Sequence, residues 1–274
     1  MTGKIRTPDF LVVGAQKCGT SWLYQTLGQH PEIFTTTPKG LYFFNSAEGY
    51  AKGWDWYLKH FEGAGDKVSA GEFTPNYFWT TAPEGAIDGL TIPQLTHRHL
   101  PEVRLIITLR DPVDRAVSAY YHHIKAQRVR QTQRLTEVRD QHGILSMGFY
   151  DTHLSAWLDA YPREKMLILV YEDEIQANRT ETLRLVHRFL GVDEGFKTRF
   201  SSYRYNARAS QLSMRLGPRA PRLARLADRV LPGAIKNHAR FQIPVHDYEL
   251  AALREIYAPH NARLSEMLGR SLPW

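Results

Sequence analysis

Gly14-Ala-Gln-Lys17-Cys18-Gly19-Thr20-Ser21 places one lysine inside a loop closed by two glycines, with two hydroxyls directly after it. A cation, hydroxyl donors and glycines that let backbone amides approach closely form a cradle for a phosphate. The spacing is not that of the common G-x-x-x-x-G-K-[ST] loop, because the lysine stands before the second glycine and Thr20 takes the place after it. A second constellation lies about ninety residues on. Arg110 follows an apolar run, and Ser118 comes eight residues later, so an arginine and a hydroxyl can hold one phosphate from two sides. Between the two lies Glu72, a carboxylate able to accept a proton.

The elements that must position these residues are legible. Phe10 to Val13 is wholly apolar, the pattern of a strand buried on both faces. Trp22, Leu23 and Leu27 follow at helical spacing, so the loop joins a strand to a helix. Ala70 to Tyr77 reads as a strand running into a turn, with Glu72 near its end. Val103 to Leu109 is another buried strand, ending at Arg110. Asp111 and Pro112 then open a helix carrying apolar residues at 113, 116, 117, 120, 121 and 124, with Ser118 on its flank. Lys125 to Arg139 is polar, a solvated helix or loop. Phe149 to Tyr161 predicts a helix and Met166 to Tyr171 a strand. Glu172, Asp173 and Glu174 are expected to cap the next helix, Thr180 to Leu190, which Gly191 closes. In open α/β sheets ligand-facing residues gather at the carboxyl ends of such strands, which is where Glu72 is read.

Together the motifs resemble those of the PAPS-dependent sulfotransferases, in the version of the heparan-sulfate group and its bacterial relatives; PAPS is 3′-phosphoadenosine 5′-phosphosulfate. The likeness rests on Gly-x-x-Lys-x-Gly-Thr-Ser, on Arg-Asp-Pro-Val-Asp-Arg-Ala-x-Ser-x-Tyr from Arg110, on Gly71-Glu-x-Thr-Pro-x-Tyr77, on Phe43-Phe44, and more weakly on Asn261-x-x-Leu and Pro273-Trp274. The resemblance implies a P-loop-like three-layer fold, with a central mostly parallel sheet flanked by helices; the length suits a single domain spanning 1–274, and the basic stretch reads as a helical C-terminal extension of it. It implies transfer of a sulfuryl group from PAPS to a hydroxyl or amine, releasing PAP, with no metal. Gln16, Lys17, Cys18, Gly19, Thr20, Ser21 and Trp22 would hold the 5′-phosphosulfate, and Arg110, Ser118 and Arg208 the 3′-phosphate. Lys17 would stabilise the leaving phosphate.

The resemblance also exposes a gap. Its base is a glutamate three residues before the first Phe of the pair, and that place here is Gly40. Glu72 is the first substitute, and His97, His99, His122 and His123 come after it. A P-loop nucleotide kinase, or a PAPS-binding chain with impaired catalysis, remain the alternatives.

Composition bounds the rest. The chain of 274 residues has 43% hydrophobic content and a single cysteine, Cys18, read as a small residue filling the turn. With a polar Met1 to Pro8 and no long apolar run, a soluble cytoplasmic enzyme is expected. The net charge is +7, and ten Lys/Arg fall between 199 and 240 against Asp228 alone. That basic stretch reads as an insertion or lid over an anionic small-molecule, glycan or lipid-like acceptor, or as a solvated face. Its 212–235 part is also suited to surface contact with a membrane, and no nucleic acid is expected. Some of the aromatic residues between Tyr42 and Phe61 are expected to line the acceptor cleft, the others to be core.

Overall fold

The structure is a computed structural model that describes residues 6–82, 86–198 and 244–274. The basic stretch 199–240, with Arg208 and 212–235, lies outside the described residues. The apolar run after Asp9 is strand β1 (Phe10–Gly14), and every residue of it is buried. Helix α1 (Thr20–Leu27) follows, then β2 (Ile33–Thr35), the short helices α2 (Ala47–Tyr50) and α3 (Trp54–Lys59), and β3 (Ser69–Phe73). A small hairpin, β4 (Ala86–Ile87) with β5 (Leu90–Thr91), leads into α4 (Ile92–His99). Next come β6 (Arg104–Leu109), α5 (Pro112–Lys125), the single turn α6 (Leu135–Val138), α7 (Tyr150–Ala160) and β7 (Met166–Val170). A π-helical turn (Tyr171–Ala177) precedes α8 (Arg179–Leu190), and α9 (Asp247–Leu268) is the last helix.

The five long strands form one parallel sheet in the order β2-β3-β1-β6-β7. β1 is central, and the chain builds first on one side of it and then on the other. Its carboxyl end is therefore the switch point where parallel sheets open a crevice. Alternation along β1 sorts the layers. Phe10 and Val12 face α1 and α8, joining Trp22, Leu23, Leu27, Leu183, Val186 and Leu190. Leu11 and Val13 face the opposite layer, with Leu58 of α3, Leu95 of α4 and Leu154 and Trp157 of α7. A third cluster packs α5 against α6 and α9 through Val113, Tyr120, Leu135, Leu253 and Tyr257. Each large apolar side chain so buried contributes about 1.5–3 kcal/mol. The expected three-layer sheet is thus present, and a long C-terminal helix closes it.

Two local expectations change. The acids Glu172 to Glu174 do not cap α8, whose N-terminal flanking residue is Asn178. The intervening π-helical turn displaces them by a full turn. Glu174 instead accepts the Val170 amide and pairs with Arg270, while Glu172 accepts the Asp111 amide. The polar stretch 125–139 is mostly turns, pinned to the core by Val129, Leu135 and Val138.

Candidate active site

The loop between β1 and α1 needs both of its glycines. A Cβ on Gly14 would stand 2.4 Å from the Phe78 Cβ and 2.8 Å from the Pro75 carbonyl oxygen. Gly19 has a φ of +95°, which side-chained residues rarely adopt, and its Cβ would press on the Tyr171 ring at 3.0 Å. Lys17 also lies in the left-handed region, at φ 72°, a strained conformation of the kind found at ligand-binding loops. The loop is tied to the sheet by Ala15 N–H to the Thr108 carbonyl at 2.7 Å and by Thr108 Oγ1 to the Gly14 carbonyl at 3.1 Å. The backbone amides of Thr20 and Ser21 open α1, so no helix carbonyl precedes them.

Lys17 is half-buried. Burial first, and the charge of Arg110 second, lower its pKa. Two strand ends, those of β1 and β6, therefore bring like charges together. Among the described residues no carboxylate forms an ion pair with Lys17. Arg110 is only partly neutralised. Its Nη2 donates to Asp114 at 2.5 Å, and its Nε, 4.0 Å from Glu172, has no hydrogen-bond partner. Its guanidinium lies 5.2 Å from the centre of the Tyr171 ring, the same ring that backs Gly19. Tyr171 thus joins the lysine loop to the arginine. Asp111 caps α5 by accepting the amides of Val113 and Asp114, as its sequence signal predicts. Ser118 is half-buried on α5, and His122 follows one turn later on the same face. Burial and the charge of Lys17 push His122 down to about 4, so it is neutral at pH 7.

Cys18 faces inward, its Sγ 3.5 Å from the Tyr150 hydroxyl, and burial lifts its pKa to about 11. A thiol so held is not a nucleophile. Gln16 buries an amide oxygen, and Trp22 an indole N–H, without partners.

Glu72 is fully buried. Its Oε1 accepts from the Tyr57 hydroxyl at 3.0 Å and its Oε2 from Thr74 Oγ1 at 3.2 Å. Thr74 Oγ1 in turn accepts the amides of Leu41 and Tyr42, while the Tyr77 hydroxyl accepts those of Phe43 and Phe44. Burial raises Glu72 to about 7 despite these bonds. Closed off in this way, the carboxylate fastens the 41–44 loop, and an acceptor hydroxyl reaches it only if that loop opens. Gly40 lies on the same loop, at the edge of a cleft of about 280 Å³ lined also by Tyr42, Glu48, Lys52 and Trp56. Of the aromatic residues, Phe43, Phe44, Tyr57 and Phe61 are core, while Tyr42 is exposed and Trp56 partly so. Of the other histidines, His123 is buried and stacked on His142, His99 sits between Trp54 and the Tyr50 hydroxyl, and His97 lies against Tyr161.

Two residues at the site escape a reading of the motifs. Tyr171 comes from the end of β7. Lys39, from the loop after β2, donates from Nζ to Ser21 Oγ at 2.9 Å and to Thr20 Oγ1 at 3.3 Å. The signal for Lys39 was its place beside Gly40; for Tyr171 there was none.

The donor set is three cations and two hydroxyls around the amides of a helix start, which fits an anion with phosphate-like oxygens. Among the described residues no group of His, Cys, Asp and Glu is arranged for a metal ion, and no helix is long and apolar enough to cross a membrane.

Comparison with known proteins agrees with that chemistry. A family model described as "Sulfotransferase domain" matches residues 7–213. The chain is 25% identical over 278 residues to heparan sulfate glucosamine 3-O-sulfotransferase 5 of Mus musculus, covering 97% of this chain and 74% of that protein. It is 32% identical over 205 residues to bifunctional heparan sulfate N-deacetylase/N-sulfotransferase 2 of Homo sapiens, where the match covers 68% of this chain but 22% of the relative. Among solved structures, a sulfotransferase from Alicyclobacillus acidocaldarius superposes with a TM-score of 0.72 at 23% identity, covering 98% of each chain. Mouse sulfotransferase SULT7A1 complexed with PAP gives 0.55 at 16% identity, covering 97% of this chain and 88% of that one.

Proposed function

The chain belongs to the sulfotransferase domain family, and on that premise we propose that it transfers the sulfuryl group of PAPS to a hydroxyl or amine, releasing PAP. The observation that carries this reading is the convergence of Lys17 and Arg110 from two adjacent strand ends, with Lys17 left without a carboxylate partner among the described residues. PAPS supplies the sulfuryl group: the acceptor atom bonds to sulfur as the bond from sulfur to the 5′-phosphate oxygen breaks, and the electron pair stays on the phosphate. Lys17, with the loop amides and Thr20, neutralises the charge that collects there. Arg110 and Ser118 grip the 3′-phosphate and fix the donor's register, and Arg208 is a further contact outside the described residues. Gln16, Cys18, Gly19, Ser21 and Trp22 shape the cradle. His122, neutral and beside Lys17, takes the acceptor's proton in place of the carboxylate missing at Gly40. Glu72 is a positioning residue for the 41–44 loop.

The acceptor is a small molecule, glycan or lipid-like molecule. An anionic one would suit the basic stretch 199–240, which would act as a lid over it or as a contact with a membrane surface. The lone, buried thiol of Cys18 supports a reducing compartment such as the cytoplasm.

PAP and PAPS are expected to raise the melting temperature, and ATP, which lacks a 3′-phosphate, to do so far less. Labelled PAPS offered with an acceptor library then reads transfer directly. Equal stabilisation by ATP and PAP, or by neither, would overturn the donor assignment.

A further inference from the structure

Lys39 is held as a designed contact is held. The loop that carries it is fastened on one side by the Tyr24 hydroxyl, which donates to the Thr36 carbonyl at 3.0 Å, and on the other by the clasp of Leu41 and Tyr42 amides on Thr74. Its ammonium rests on the two hydroxyls that open α1, and these are the same hydroxyls a phosphate at the helix start would use. Among the described residues no carboxylate forms an ion pair with Lys39, and the charged group that faces it is Lys17. A half-buried ammonium beside a second one is costly, and an anion between them removes that cost.

We propose that Lys39 is a second catalytic cation of the donor site, parked on Thr20 and Ser21 until the phosphosulfate arrives and then shared between the transferring sulfuryl group and the leaving phosphate. This rests on the sulfotransferase reading above. The alternative role, a neutral amine acting as base, is disfavoured by the charges. Burial and Lys17 hold Lys39 down to about 8 without an anion. A multiply charged donor beside it reverses that shift, so the bound enzyme keeps the ammonium protonated through the pH range where the free enzyme loses it.

The test is calorimetric titration of PAP into the full chain at pH 8.5, in buffers of different ionisation enthalpy. The wild type is expected to take up a proton fraction on binding, and Lys39→Met to take up clearly less, by roughly half a proton from a group titrating near that pH. Lys39→Met is also expected to lose turnover on the order of 100-fold and PAP affinity by about tenfold or less. Lys39→Arg, which keeps the charge, is expected to recover most of both. PAP binding with unchanged proton uptake in Lys39→Met, or wild-type turnover in that variant, overturns this inference alone. A wild type that does not bind PAP overturns the donor reading and takes this inference with it.

Discussion

At the residue scale the open question is proton removal, and two side chains divide it. Glu72 has the chemistry of a base but is enclosed, and His122 is half-buried and neutral. Glu72→Gln is expected to leave PAP affinity intact and kcat within about threefold, whereas His122→Ala is expected to cost on the order of 100-fold in kcat with PAP binding retained. The Glu72 variant has a second readout. Its folded pKa of about 7 lies above the ordinary carboxyl value of about 4.3, so its contribution to stability is full at low pH and lost as pH rises through 7. Glu72→Gln should remove that slope. A 100-fold loss of kcat in Glu72→Gln, with His122→Ala active, would return the base to Glu72. At this scale the sequence carried most of the loop between β1 and α1, because glycines and a lysine at fixed spacing are local signals. It did not carry Lys39 or Tyr171, whose roles depend on which strand ends the sheet places side by side.

At the scale of elements, the joint between α7 and α9 is open to test. Asp151, on α7 and almost wholly buried, accepts from His260 at 2.7 Å and from Arg263 Nε at 2.6 Å, both on α9. Burial alone would raise its pKa, but the two bonds outweigh it and hold the carboxyl below its usual value. Its contribution to stability is therefore present above about pH 3.9 and lost as pH falls below it. Asp151→Asn is expected to lower the melting temperature by about 5 °C near neutral pH and to blunt the loss of stability at acid pH. An unchanged melting temperature would show that the joint rests on apolar packing alone. Helix boundaries with caps inside their own sequence, such as Asp111-Pro112 and Gly191, could be read ahead of the structure. The π-helical turn could not: nothing local distinguishes an acid that caps the following helix from one that reaches back to Val170 or across to Arg270.

At the scale of the whole molecule, histidines set the response to acid. Burial depresses His122, His153 and His187 to about 4 and His123 to about 3. The unfolded chain would protonate each near pH 6.5, so the stability they contribute is full above that value and lost progressively as pH falls from it through about 4. Glu72 and Glu172, both raised by burial, act in the opposite sense over part of the same range, while His99, lowered by burial, adds to the histidines. The melting temperature is accordingly expected to fall by roughly 5 °C or more between pH 7.5 and pH 5, and a flat or rising profile would refute this. Fold class was legible at this scale, since buried strand runs alternating with amphipathic helices leave few arrangements. The buried histidines were not, because a histidine in a helix reads alike whether it faces core or water.

The clasp that holds the 41–44 loop grips main-chain amides, not side chains. The clasp itself therefore does not depend on which side chains the loop carries, although Tyr42 sits in the left-handed region at φ 54° and a Cβ at Gly40 would meet the Tyr42 ring at 2.8 Å. Mutation can change the side chains that this loop presents while Thr74 and Tyr77 keep its course, at the same carboxyl end of the sheet as the loop after β1. On the function proposed above, a scaffold of that kind lets acceptor choice drift, or be retargeted by loop grafting, while the proposed donor site stays as it is.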